Sequence, residues 1–409
     1  MKSKTAALLF AGLSLVQAPL WAASPEDILK TAWKDPQIAN QQEAVRLTKD
    51  ASSLNPLEKA DIRFDRGELN QQDVKVGLRL YPKGYSEHVA SSRFQRALEK
   101  NEEAALSEAL SKMLVARYDL IARLTLAKEK KAMADQLSQV SRRASKALSY
   151  AAQKSRTELK SYLKAKTDLD KIDLKIADIQ RDYSNTQSEL SDLQLGGIDQ
   201  FDLTDLASID DIRTKFDGAA DKRLEQTLTN QVVLADLEKS QSALQYDRAR
   251  DEKWLEHIEV SMKDDKGEKV YGVEVAINLP FAGAPDLSAV DKRIKMLRER
   301  NKSRETTALS DRDYKNTVTE LRTLLDLHKS MRETSRMNPD ELRRASSAIA
   351  GQDPMLALDL QRGWLESREH LLDLEFRIRA LYIKYLHESS SIASAPESNH
   401  LSKTAKRIL

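Results

Sequence analysis

The chain has no cysteine among its 409 residues. That excludes disulfides, a thiol nucleophile, a cysteine-based zinc site and a lipid-modified cysteine behind a leader. Beyond the extreme N-terminus no apolar stretch approaches the roughly 18 residues of a transmembrane helix. Aromatic residues make up only 5% of the chain while charged residues reach 32%, a balance that suits long helices packed through small side chains better than a thick globular core. Neither sign of charge is in excess, with 66 Lys and Arg against 64 Asp and Glu. The signs are interspersed, so the charges read as solvated faces, not as a nucleic-acid patch; Arg142, Arg143 and Lys146 form one such face. Catalytic signatures are missing too. There is no phosphate-binding glycine loop, no His-Glu-x-x-His and no Gly-x-Ser-x-Gly, and the six histidines are scattered. Glu366 and His370 lie four apart, which reads as an exposed helix pair, not a metal site. No enzyme, cofactor or metal is expected.

The N-terminus carries Met-Lys-Ser-Lys, an apolar run from Ala6 to Val16, and a small-residue site at Ala22-Ala23. This is the layout of a cleaved export signal over residues 1–22, cut after Ala22 or Ala23. An exported chain follows.

Glycine and proline are absent between Gly84 and Gly196. Since these residues are the strongest breakers, the window predicts very long helices. Leu106, Leu110, Met113 and Leu114, then Leu120, Ile121 and Leu124, keep the spacing of an amphipathic helix. A single helix would leave its apolar stripe unpaired, so a fold-back is expected at Ser155-Arg156-Thr157-Glu158, where a serine precedes a glutamate by three positions as in a capping box. The ascending arm then covers 86–154 and the descending arm 159–194.

The plan occurs twice. Asp73-Val-Lys-Val-Gly-Leu-Arg-Leu-Tyr-Pro82 precedes the first long run, and Tyr271-Gly-Val-Glu-Val-Ala-Ile-Asn-Leu-Pro280 the second. Such self-similarity implies duplication of one structural unit. The second helical run extends over 287–337, Asn338-Pro339 reads as a helix start, and Gly351-Gln-Asp353-Pro354 supplies the turn into a descending arm over 355–387. In that arm Leu360, Trp364, Leu371, Leu374, Ile378 and Leu381 form the expected packing stripe. A helix is expected before each hairpin: one opened by Ser24-Pro25 and restarted at Asp35-Pro36, the other over 222–254. The boundaries are 23–195 for the first repeat, 196–220 for a polar linking segment with short Asp-rich helical turns, and 221–388 for the second repeat. The Ser- and Ala-rich end, 389–409, reads as a disordered tail.

Four strands are expected, 60–67 facing 73–81 and 257–264 facing 270–279. Val74, Val76, Leu78 and Leu80 alternate with polar or small neighbours, as do Val273, Val275, Ile277 and Leu279. A period of two marks a half-buried strand, and in an exported chain it also fits a barrel wall, apolar outward and polar inward. Four strands cannot close a barrel, so a membrane sheet would need several copies, and three copies would pool twelve strands. The strand at 60–67 is short, crowded by Arg63, Asp65 and Arg66, which points to a truncated barrel.

Two β-hairpins alternating with two long helical hairpins resemble the TolC-type outer-membrane efflux channel family. Leu29-x-x-Ala32-Trp-Lys-Asp-Pro36 is similar to that family's first helix. Leu78-x-Leu-Tyr-Pro82 and Ile277-Asn-Leu-Pro-Phe281 are similar to its strand-to-helix signature. Thr157-Glu158-Leu159 and the stretch from Gly351 to Leu360 resemble its hairpin tips. The resemblance spans about 24–389. It implies a mainly α fold with a small β-barrel, a homotrimer, a tunnel of helical arms, and tips that dock on a periplasmic adaptor serving an inner-membrane transporter. Ser155, Arg156, Thr157, Glu158, Gly351, Asp353 and Pro354 would form the partner-binding tips. Asp359 would lie at the tunnel entrance, with Ala357 where the family often carries another aspartate. The competing expectation is a soluble periplasmic coiled-coil scaffold or adaptor related to this family. The cargo is not legible.

Overall fold

A computed structural model describes residues 23–50, 56–66, 74–154, 159–218, 227–265, 268–277, 287–334, 344–345, 348–349 and 354–409. The leader, most of both tips and the Asn338-Pro339 start lie outside these residues.

The chain opens with α1 (Pro25–Lys30), a tight 3-10 turn (Thr31–Lys34) and α2 (Pro36–Asp50). Pro25 stands at the first helical position, and the backbone N–H and hydroxyl of Ser24 both donate to Asp27 Oδ2 at 2.9 Å. These contacts satisfy groups that a helix start otherwise leaves unpaired. Asp35 Oδ1 does the same for α2, accepting from the Gln37 N–H at 3.0 Å. Strands β1 (Leu57–Arg66) and β2 (Val74–Pro82) follow, then α3 (Tyr85–Lys154) and α4 (Leu159–Asp192). After the linking segment, with α5 (Ile209–Asp217), the plan repeats: α6 (Leu228–Asp251), β3 (Leu255–Asp265), β4 (Glu268–Ile277), α7 (Leu287–Thr334) and α8 (Pro354–Glu388).

Helix α3 has 70 residues, roughly 105 Å at 1.5 Å each. It is the spine of the molecule, packing against α2 and α6 along one part of its length and against α4 and α8 along another. The main core sits at the middle of this spine. Leu114, Tyr118, Ile121 and Leu124 of α3 meet Ile378, Tyr382 and Tyr385 of α8, Ile212 and Phe216 of α5, and Leu321 and Leu325 of α7. A second cluster runs down the arms: Met133, Leu137 and Val140 of α3, Ile172 and Ile179 of α4, and Leu365 of α8, with Trp364 packed against it. Trp364 is therefore a packing residue, as its helical spacing implied. The buried stripe of α8 runs through Leu365, Leu372, Leu374 and Ile378; Leu371 is only partly covered.

The C-terminal end departs from expectation. Instead of a disordered tail, 389–409 folds back on the middle of the spine. Ser390, at φ 59° in the left-handed region, reverses the chain after α8. Ile392, Leu401 and Ile408 are buried in the main core. Low-complexity composition signals disorder when apolar residues are too few to offset chain entropy. Here three widely spaced apolar residues suffice because the tail also satisfies buried polar groups: Asn399 Nδ2 donates to Glu26 Oε1 at 2.7 Å, and Ser402 Oγ donates to Asp205 Oδ2 at 2.8 Å.

Candidate functional site

The four strands form one antiparallel sheet in the order β1-β2-β3-β4. The two hairpins, far apart in sequence, thus meet along the β2–β3 seam. The strands contain 10, 9, 11 and 10 residues, matching the roughly 9–11 of a tilted membrane strand. This corrects the short first strand: β1 begins at Leu57, three residues earlier than alternation indicates. Leu57, Glu58 and Lys59 include a register irregularity against β2, and such a bulge hides a strand start from any period-two pattern.

Register gives the sheet two unlike faces. Ile62, Leu78, Val260 and Val273 lie in one row across the four strands; Phe64, Val76, Met262 and Tyr271 form the next, and Ala60, Leu80, Ile258 and Val275 a third. This face is apolar yet uncovered: Phe64 is 76% exposed and Val273 72%. Aromatic residues bound it. Trp254 and Tyr85 stand exposed where helices join the strands, and Phe64 and Tyr271 near the opposite end. An apolar band flanked by aromatic residues is also the pattern on the outward face of membrane β-barrels.

The opposite face is polar. Asp61, Arg79, Glu259 and Glu274 share one row, and Arg63, Gly77, Ser261 and Gly272 the next. Glu259 is buried there, with Arg79 at 2.6 Å and Lys75 at 3.4 Å. It reaches Lys75 by leaning across Gly77, where an added Cβ would stand 2.9 Å from Glu259 Oε1. A side chain at Gly77 would force the Glu259 carboxylate to shift. His257 packs on Tyr81 with ring centroids 5.5 Å apart.

At the other end of the molecule the arms turn over. Residues 155–158 lie outside the described residues, between the end of α3 at Lys154 and the start of α4 at Leu159. Gly351 and Asp353 are outside them too, whereas Pro354 opens α8. Ion pairs set the two hairpins level with each other. Arg362, in the third turn of α8, lies 3.4 Å from Asp168 in the third turn of α4, and Glu369 pairs with Lys175 two turns further on. The starts of α4 and α8 therefore stand side by side. Asp359 is exposed and 3.9 Å from Arg362, which also meets Glu366 at 3.6 Å. His370 is exposed, and no cluster of three or more metal-ligating side chains occurs among the described residues. No described helix is long and apolar enough to cross a membrane.

Sequence reading found the strands and the arms; the turns expected at 155–158 and 351–353 lie outside the described residues. It missed the Arg79–Glu259 pair, whose partners are 180 residues apart and are joined only by the β2–β3 seam.

By sequence, no protein-family model and no curated protein matches the chain. By structure, the outer membrane protein VceC of Vibrio cholerae matches with a TM-score of 0.65 at 13% identity, over 89% of this chain and 95% of that one. The Campylobacter jejuni CmeC outer membrane channel matches at 0.62 and 12% identity, over 91% and 87%. The Neisseria gonorrhoeae MtrE outer membrane channel in its open state matches at 0.62 and 14% identity, over 89% and 87%. The chain has the fold of the TolC-type outer-membrane channels.

Proposed function

We propose that this exported chain is an outer-membrane conduit, the passive channel of a tripartite efflux or type I secretion system. Three copies pool their sheets into a twelve-stranded barrel, and their helical arms form a tunnel reaching into the periplasm. The chain carries no catalysis of its own; an inner-membrane transporter drives export through a periplasmic adaptor. That adaptor docks at the tips formed by Ser155, Arg156, Thr157, Glu158, Gly351, Asp353 and Pro354, and Asp359 lies near the tunnel entrance.

One observation carries this reading: a continuous apolar sheet face left uncovered on a chain whose other face is polar. In water such a face is a liability, whereas in a bilayer it is the wall. The same face argues against the soluble periplasmic scaffold. The level ends of the two hairpins support a shared docking end, and exposed turns on a rigid scaffold are favoured recognition sites.

Fractionation and mass photometry in detergent test the reading together. The mature chain is expected in the outer-membrane fraction after salt and carbonate washes, and as a trimer in detergent. A washed-out, soluble monomer overturns it.

A further inference from the structure

All four strands turn the same end toward the helices. Leu57 pairs with Pro82 and Leu255 with Ile277, and these are the strand ends nearest in sequence to α2, α3, α6 and α7. Trp254 and Tyr85 stand exposed at this end, as aromatic residues do where a membrane wall meets water.

Just beyond that end the charge is uneven. Over the whole chain cations exceed acids by two. In the first turns of α7, from Asp291 to Arg304, seven Lys and Arg stand against two acids, Asp291 and Glu299. Lys292 pairs with Asp247 at 3.1 Å and Lys295 with Asp291 at 2.9 Å. Arg293, Arg298, Arg300, Lys302 and Arg304 are exposed and make no ion pair among the described residues. At 3.6 residues per turn they ring the part of α7 turned away from Lys292 and α6.

The contact with Asp247 sets the height of this stretch. Asp247 lies one turn before the end of α6, and β3 begins four residues after that end. The basic turns of α7 are therefore the turns next to the sheet. Direction matters as well. Helical side chains lean toward the N-terminus of their own helix. The arginines of α7 thus lean back toward the sheet, whereas Arg248 and Arg250 of α6 lean away from it. Arg298 and Arg300 follow Arg293 by about 8 and 11 Å, Lys302 and Arg304 by about 14 and 17 Å. A headgroup layer is about 5–7 Å deep on each side of a bilayer, and charge acts across roughly 8 Å of physiological salt. The first three arginines are the ones within reach.

We propose that Arg293, Arg298 and Arg300 form a site for the phosphates of anionic phospholipids, in the leaflet that meets the helical end of the sheet. The proposal rests on the conduit reading, which puts the apolar sheet face in a bilayer. A lipid surface is the occupant because the basic turns continue that face, past Trp254 and Tyr85, into the layer where phosphates lie. Guanidinium groups match phosphate oxygens in fork geometry, and a basic cluster beside a membrane segment draws anionic lipid.

The full-length chain in nanodiscs of equal parts phosphatidylglycerol and phosphatidylcholine tests the site, with retained lipids counted by native mass spectrometry after extraction. The unmodified chain should retain phosphatidylglycerol over phosphatidylcholine about fivefold or more, the factor that one cation near an anionic surface supplies. Arg293→Gln/Arg298→Gln/Arg300→Gln should retain the two equally. Arg142→Gln/Arg143→Gln/Lys146→Gln removes as many charges near the far end of α3 and should keep the preference. Extraction in about 1 M salt should abolish it in the unmodified chain, a reading that needs no variant. Equal retention by the unmodified chain overturns the headgroup site, as does a preference that survives the first triple variant or the salt. A variant that melts normally but no longer trimerises also overturns it, because the arginines would then serve the contact between copies. These outcomes leave the conduit reading intact. A chain that never enters the nanodisc overturns both.

Discussion

The Tyr118 hydroxyl donates to the Ser398 carbonyl at 3.0 Å and accepts from the His400 N–H at 3.0 Å. One phenol on the central helix thereby pins the returning C-terminal tail. Tyr118 is fully buried, and burial holds its ionisation above the usual tyrosine range, so it stays neutral at every working pH. Tyr118→Phe keeps the ring and removes both hydrogen bonds. A loss of about 1–3 kcal/mol is expected for two buried hydrogen bonds, read by denaturant unfolding. An unchanged midpoint would show that water reaches the site.

A stop codon after Ser390 removes the pinned segment altogether. It uncovers the sites filled by Ile392, Leu401 and Ile408, each side chain contributing about 1.5–3 kcal/mol when buried. It also leaves Glu26 without Asn399. The truncated chain should melt lower and be cut faster by protease near α1 and α5. A truncation without effect on either measure would restore the disordered-tail reading.

His387 gives the fold an acid dependence. Its Nδ1 lies 2.8 Å from Ser111 Oγ. Burial, helped by nearby Lys112 and opposed by Glu108, pushes the imidazole below its ordinary value. The unfolded chain therefore takes up this proton before the native one does, and stability falls as pH drops through about 6.5. Burial of Glu388 raises its carboxyl and acts with the opposite sign, so the informative quantity is a difference. Melting midpoints of His387→Gln should fall less between pH 7 and pH 5 than those of the unmodified chain. Parallel curves would show that His387 titrates alike in both states.

The fold was largely legible because its signals are local. The empty stretch between Gly84 and Gly196 bounds α3 and α4 almost to the residue, and Asp35-Pro36 and Pro354 open helices as their chemistry requires. What escaped was non-local. The start of β1 depends on pairing with β2 across a bulge, not on alternation. The tail's order depends on Tyr118 and Glu26, which lie some 280 and 373 residues away from their partners. Near the tips, Arg362, which links α8 to Asp168 of α4, carries no sequence signature beyond being charged.

Gly77 tests the polar face of the sheet. A side chain here would meet Glu259 Oε1 at 2.9 Å and displace it from Lys75. Gly77→Val should cost about 1–3 kcal/mol through overpacking and lower the temperature at which the assembled protein dissociates in mild detergent. Gly77→Val combined with Glu259→Ala should recover part of that loss, because the obstructing carboxylate is gone. If the double variant dissociates no later than the single one, the clash is not the cause.

Arg362 tests the end of the molecule where α4 and α8 begin. It lies among three carboxylates, Asp168 at 3.4 Å, Glu366 at 3.6 Å and Asp359 at 3.9 Å. Only the Asp168 contact crosses between hairpins. The guanidinium and hydrogen bonds from Arg362 and Lys171 hold the Asp168 carboxyl below the usual carboxylate range, outweighing its desolvation, which acts the other way. Partly exposed pairs contribute only about 0.2–1 kcal/mol each, so Arg362→Ala should loosen the end slightly. Arg362→Glu does more, since it places a fourth acid among three and replaces attraction by repulsion between α4 and α8. In planar bilayers the reversed variant should conduct better than the alanine variant, and both better than the unmodified chain. Raising salt should narrow that spread, because screening at about 1 M shortens the range of charge interactions to roughly 3 Å. Equal conductance for all three, with channels still forming, would show that the hairpin ends are held apart or together by packing and not by this charge cluster.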